Sequence, residues 1–153
     1  MGFSRLSLKA RALRLLAQRE HSRSELQAKL ARHMEEGEDL PALLDALEAQ
    51  GLVSAQRVAE SVVHQRAARF GTRRVAQELR AKGLDEDLVR ATAAQLASTE
   101  LERARAVWRQ RFGSAPPPAT SQERARQMRF LAARGFAAEV VRRVVRGGDE
   151  EFE

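Results

Sequence analysis

The sequence predicts an all-α protein built from three tandem three-helix repeats that stack into an elongated, curved array. Three observations predict it. Ala, Leu, Arg, Glu and Gln dominate the 153 residues, and all are strong helix formers. Apolar residues recur at helical rather than alternating spacing. One stretch also repeats: Leu79-Arg-Ala-Lys82-Gly83-Leu84, followed by Leu88-Val89, returns as Leu131-Ala-Ala-Arg134-Gly135-Phe136, followed by Val140-Val141. The shared pattern is an apolar anchor, a basic residue, a helix-ending glycine and an apolar residue that starts the next helix.

The first helix is expected from Ser7 to Arg19, with Leu8, Ala12, Leu15 and Leu16 on one face. Ser22 and Glu25 form an S-x-x-E capping box that starts the second, whose stripe is Leu26 and Leu30. A polar loop, Met34 to Asp39, leads to a third helix with Pro41 in its first turn, where its missing amide costs nothing. Leu40, Leu43, Leu44 and Leu47 face inward there, and Gly51 stops the helix.

Ser54 caps a fourth helix reaching Arg69, with Val58, Ala59 and Val62 buried. Phe70-Gly71 closes it. Thr72 opens a fifth helix through Val75 and Leu79 to Gly83, and a sixth runs from Asp85 to Leu96. Thr99 and Glu102 read as a further capping box, opening a seventh helix through Leu101, Ala104 and Trp108 to Arg111. Residues 113–119 hold three consecutive prolines and form a stiff, extended linker. Thr120 and Glu123 cap an eighth helix, and a ninth carries Phe136, Val140, Val141, Val144 and Val145 up to Gly147-Gly148.

The units are therefore residues 1–53, 54–98 and 99–148, followed by an acidic tail over 149–153 that is expected to fray. The first unit fits the pattern loosely, because His33-Met34 stands where the others have a basic residue and glycine. Each unit has a small core, so neighbours must stack. Such an array offers a long surface rather than a pocket.

Composition narrows the function. There is no cysteine, which excludes disulfides, thiolate metal sites and a cysteine nucleophile. No stretch has a signal peptide's apolar run or the length of a membrane span, so the expected compartment is the cytoplasm. His21, His33 and His64 lack metal-ligand spacing and read as ordinary surface residues. The acids Glu35-Glu36 and Glu38-Asp39 lie in a loop unsuited to holding two carboxylates for acid–base work. No phosphate-binding glycine loop is present. The reading is of a binding protein without metal or cofactor, not an enzyme.

Net charge is +6, and all but Lys9, Lys29 and Lys82 of the 27 basic residues are arginines. The charge is banded: residues 35–50 hold six acids and no Arg or Lys, whereas 103–146 hold eleven Arg and two acids. Two clusters stand out. The first is Arg66, Arg69, Arg73, Arg74, Arg80 and Lys82, around the Phe70-Gly71 turn. The second is Arg109, Arg111, Arg124, Arg126 and Arg129, at the matching place in the third unit. Repeat-equivalent arginines would form a stripe that meets a phosphate backbone or acidic subunit edges at several points. The competing reading pairs some of them with acids of the third and sixth helices, where surface ion pairs contribute about 0–1 kcal/mol each. Trp108 and Phe112, one turn apart, read as core rather than as a platform for bases.

Three segments resemble the RecX family. Leu13-Arg-Leu-Leu-Ala-Gln-Arg-Glu-His-Ser22-Arg-Ser-Glu25-Leu26-Gln-Ala-Lys29-Leu30 is similar to that family's opening. Gly51-Leu52, Ala59-Glu60-Ser61 and Gly71-Thr-Arg-Arg-Val75-Ala-Gln-Glu78-Leu79-Arg-Ala-Lys82-Gly83-Leu84 resemble its centre, and Phe130-Leu131-Ala-Ala-Arg134-Gly135-Phe136 its close. The resemblance spans about Leu8 to Arg146. Two features depart from it: the acid and Phe usual near residues 55–58 are missing, and the prolines at 116–118 are an elaboration. The resemblance implies three tandem three-helix repeats and a modulator of the RecA recombinase; a monomer is expected. Such a modulator binds the RecA–single-stranded DNA filament and limits its growth, ATP hydrolysis, strand exchange and co-protease activity. It carries no short active-site motif. A stand-alone basic DNA-binding module is the alternative that the arginines alone would allow.

Overall fold

The computed structural model describes residues 5–150, with side chains described through Arg146. Among the described residues there are nine helices and no strand. They are α1 (Leu8–Gln18), α2 (Arg23–Ala31), α3 (Leu40–Ala49), α4 (Ala55–Arg66), α5 (Thr72–Ala81), α6 (Glu86–Ala97), α7 (Glu100–Phe112), α8 (Ser121–Ala133) and α9 (Ala138–Glu150).

Three separate apolar cores coincide with three helix triplets. Leu8, Leu26, Leu30, Leu44 and Leu47 centre the first. Val58, Val75, Leu79 and Val89 centre the second. Ala104, Leu131, Phe136 and Val141 centre the third. Leu26, Leu30, Leu79 and Leu131 are fully buried, and each such leucine contributes about 1.5–3 kcal/mol relative to exposure. They stand where the helical spacing places them.

Local signals set most boundaries. The Ser22–Glu25 capping box is complete: the hydroxyl accepts from the Glu25 amide and the carboxylate from the Ser22 amide. Ser7, Asp39, Ser54 and Thr120 each cap their helix. Gly83 and Gly135 follow the last residues of α5 and α8 with φ of +77° and +90°, a left-handed turn that a side chain would strain.

Four expectations are corrected. Helix α4 ends at Arg66, not Arg69, because the carbonyls of Ala67 and Phe70 turn to the Arg103 guanidinium at 2.9 and 2.8 Å. Thr99 makes no cap: its hydroxyl donates back to the Leu96 carbonyl and accepts from Arg103 Nε. Helix α9 runs through Gly147-Gly148 to Glu150; nearby packing of Val141, Val144 and Val145 sustains it where glycine propensity alone would end it. His21 is not a surface residue, being 1% exposed. The expected fraying at 149–153 extends beyond the described residues.

The units meet at corners. The carbonyl of Lys82, the last residue before Gly83, accepts from the Ser22 hydroxyl at the head of α2 (2.6 Å). The carbonyl of Arg134, just before Gly135, accepts from the Gly71 amide at the head of α5 (2.8 Å). Thus the tail of α8 abuts the head of α5, and the tail of α5 abuts the head of α2. A helix's carbonyl end carries partial negative charge and its amide end partial positive charge, so both contacts are electrostatically favourable. Neither glycine has room for more: a Cβ on Gly83 would lie 2.2 Å from Ser24 Oγ, and one on Gly135 2.5 Å from Arg74 Cβ.

Candidate functional site

The corner between units two and three gathers arginines around two phenyl rings. Phe70 sits in the turn after α4, half-buried against the second core. The Arg74 guanidinium lies 4.1 Å from its ring centre, with those of Arg134 and Arg69 at 5.7 and 6.0 Å. Arg134 also lies 4.7 Å from the ring centre of Phe130, which Arg111 approaches at 5.7 Å. Phe112 meets Phe130 edge-on at 5.3 Å. The result is a run of guanidiniums and rings crossing from unit two into unit three. Each stacked contact contributes about 0.5–1 kcal/mol at an exposed site. A guanidinium held over a ring by this attraction still has N–H groups to donate to a phosphate or carboxylate.

Among the described residues, none of Arg69, Arg73, Arg74, Arg111 and Arg134 forms an ion pair with a carboxylate. Two shallow concavities open beside them. One, of about 370 Å³, is lined by Arg66, Phe70, Arg74, Val75, Gln77 and Glu78. The other, of about 320 Å³, lies between α5 and the end of α8, and shares Arg74 and Gln77 with the first.

The remaining sequence candidates divide. Arg66 pairs with Glu78 (3.4 Å) and Arg80 with Glu86 (2.9 Å), so both are partly neutralised within unit two. Lys82 binds Glu25 (3.3 Å) and belongs to the joint between units one and two. Arg124 and Arg126 are both exposed but stand two residues apart on α8, which sends them to opposite sides of that helix. Arg129, one turn beyond Arg126, shares its side. Arg109 is exposed near the end of α7. The clusters are thus not one continuous stripe. Arg69, Arg73 and Arg74 come together with Arg134, which belongs to the repeat pattern but not to the charge clusters.

Arg103 was also not legible as a key residue. It reaches from α7 into unit two and donates to the carbonyls of Ala67, Phe70 and Leu96 and to the Thr72 hydroxyl. Burial pushes its pKa down, which Glu100 partly offsets. Glu100, 6% exposed, accepts the Thr72 amide at 2.9 Å. It thereby caps α5 from the next unit, where Gly71 has no side chain to do so. Trp108 is core-packed, its indole N–H donating to Gln127 Oε1 (2.9 Å), as the helical spacing implied.

No group of three or more His, Cys, Asp or Glu side chains among the described residues could hold a metal. No helix among them is long and apolar enough to cross a membrane.

Comparison with known proteins agrees with the architecture. Residues 56–92 match the family model of the RecX second three-helix domain, and residues 98–145 that of the third. A Regulatory protein RecX of Ralstonia nicotianae is 53% identical over 144 residues, 94% of this chain and 89% of that protein. The one of Pseudomonas syringae pv. tomato is 36% identical over 95% of each chain. The crystal structure of RecX from Lactobacillus salivarius superposes with a TM-score of 0.79 at 16% identity, covering 93% of this chain and 94% of that one. Shared sequence over nearly the full length, with the same helical units, places this chain in the RecX family of regulatory proteins.

Proposed function

We propose that the chain is a non-catalytic, monomeric inhibitor of the RecA recombinase that binds the RecA–single-stranded DNA filament. In this reading it limits filament growth, ATP hydrolysis, strand exchange and co-protease activity. The observation that supports it is the guanidinium–phenyl run at the corner of units two and three. Arg69, Arg73, Arg74 and Arg134 are exposed or half-buried and form no ion pair with a carboxylate among the described residues, and all but Arg73 lie over the Phe70 ring. Such a surface meets phosphates or acidic subunit edges with little ordering cost. Repeated units add such contacts along a repetitive partner.

The test measures ATP hydrolysis by recombinase on single-stranded DNA as this protein is added. Hydrolysis should fall at substoichiometric amounts, and the double reversal Arg73→Glu/Arg74→Glu should weaken the effect roughly tenfold, about 1.4 kcal/mol. No inhibition at equal stoichiometry refutes the reading. Equal affinity for naked and recombinase-coated DNA, with a steep salt dependence, would instead identify a stand-alone DNA-binding module.

A further inference from the structure

Unit one carries a different concavity, remote in sequence from the arginine–phenyl corner. It lies between α1 and the end of α2 and measures about 150 Å³. Leu6, Leu15 and Leu30 contribute its aliphatic lining, and Leu6 is 37% exposed. Arg11, Arg14, Lys29 and Arg32 surround it, with His33 beside them, and among the described residues no acidic one lines it. The nearby Glu35 is already engaged by Arg5.

Two further observations point to a missing partner of negative charge. Arg11 Nε is buried without a hydrogen-bond acceptor; a buried donor left in that state costs about 1–3 kcal/mol, more when charged. The His33 imidazole is pushed below its ordinary pKa, by desolvation first and then by the cations of Arg11, Arg32 and Arg5. Among the described residues, no carboxylate lining the concavity balances the positive charge of this rim.

The size and lining identify the occupant's class. The space is too small for a cofactor, since ligand pockets run to roughly 300–1,000 Å³, but it suits one large apolar side chain. Among the described residues its lining holds no Phe, Tyr or Trp ring on which a base would stack, His33 being the one imidazole at its edge. We propose that this concavity is a docking site for an acidic peptide segment of a partner protein, one apolar side chain entering between Leu6, Leu15 and Leu30 and flanking carboxylates meeting Arg11, Arg14 and Arg32. The site stands apart from the arginine–phenyl corner and does not depend on the reading given to that corner.

The probe is a fluorescent peptide with a single Phe flanked by two Glu on each side, titrated with the full-length protein and followed by anisotropy. Saturable binding is expected, weakened at least tenfold by the rim reversals Arg14→Glu/Arg32→Glu and also by replacing the peptide's Phe with Ser. Arg11→Lys, which keeps the charge but removes Nε, should weaken binding as well. Arg73→Glu/Arg74→Glu should leave it unchanged, which separates this site from the other face. Equal binding of the Ser peptide, indifference to the rim reversals, or full displacement by oligothymidylate at equal concentration would overturn the proposal. Arg14 and Arg32 are exposed, so circular dichroism of their reversal variant should match the parent and keep the comparison interpretable.

Discussion

At the first joint the docked carbonyl of Lys82 meets a side-chain hydroxyl, Ser22; at the second the carbonyl of Arg134 meets a backbone amide, that of Gly71. The two are repeat-equivalent, each the tail of one second helix set on the head of the preceding one. Their surroundings differ. Around the first, Glu25 collects Arg19, the Ser22 amide and Lys82. Arg57 adds a second tie from unit two to Glu20 (2.9 Å). Around the second, two glycines touch, Glu100 supplies the missing cap, and guanidiniums stack on phenyl rings instead of pairing with carboxylates. One joint is therefore ionic and held by side chains; the other is backbone-close and leaves its arginines available. The difference shows how one topological device can be a plain connector in one place and, in the function proposed above, a binding surface in another.

The contrast breaks most severely at Gly71. A Cβ there would stand 2.3 Å from the backbone carbon and oxygen of Gly135, and backbone cannot swing aside as a side-chain tip can. Gly71→Ala should cost about 3 kcal/mol, read as a lower urea midpoint with early loss of amide protection in α7 to α9. A midpoint within experimental error of the parent would show that the joint is looser than the geometry states.

Next in size is Arg103→Met, which keeps the length of the side chain but removes the donors. The carbonyls of Ala67 and Phe70 lose their donor, while that of Leu96 keeps the Thr99 hydroxyl, and a loss of about 2–3 kcal/mol is expected from the two unsatisfied, part-buried acceptors. If the variant unfolds as the parent does, the guanidinium is not what ties unit three to the turn after α4.

The smallest effect sharpens the first joint. Burial alone would raise the Glu25 pKa, but hydrogen bonds from Arg19 and the Ser22 amide, with the charge of Lys82, hold it at about 2 instead of 4.5. A carboxylate with a depressed folded pKa adds stability that is complete above its unfolded value and is lost as pH falls through the folded one. Thermal midpoints should therefore decline between about pH 4.5 and 2, and Glu25→Gln should flatten part of that decline. A parallel decline in the variant would remove Glu25 from the account.

Much of the fold could be read from the residues because its determinants are local. The Ser22–Glu25 box, the leucines at one-turn spacing and the basic-residue–glycine corners are all encoded within a few positions. What escaped detection joins distant positions. Arg103 acts on carbonyls, which carry no sequence signature, and it is one arginine among many in its segment. Glu100 caps a helix that begins 28 residues earlier. His21 is buried because Lys29 donates to its Nε2 (2.9 Å) while its Nδ1 lies 3.1 Å from the Arg19 carbonyl, a pairing across eight positions that no periodicity reveals. At the arginine corner the Arg-Phe-Gly sequence at 69–71 was the available clue: a ring between a cation and a glycine, at a place where two units touch.

The head-to-tail placement of α8, α5 and α2 has a mechanical consequence. Helices are stiff over these lengths, whereas each joint rests on one docked carbonyl and a few side-chain ties. Bending of the whole molecule should therefore concentrate at two knuckles, Lys82-Gly83 and Arg134-Gly135. A partner whose repeat does not match the spacing of the units would be accommodated by flexing at those points, with each helical triplet moving as a rigid link.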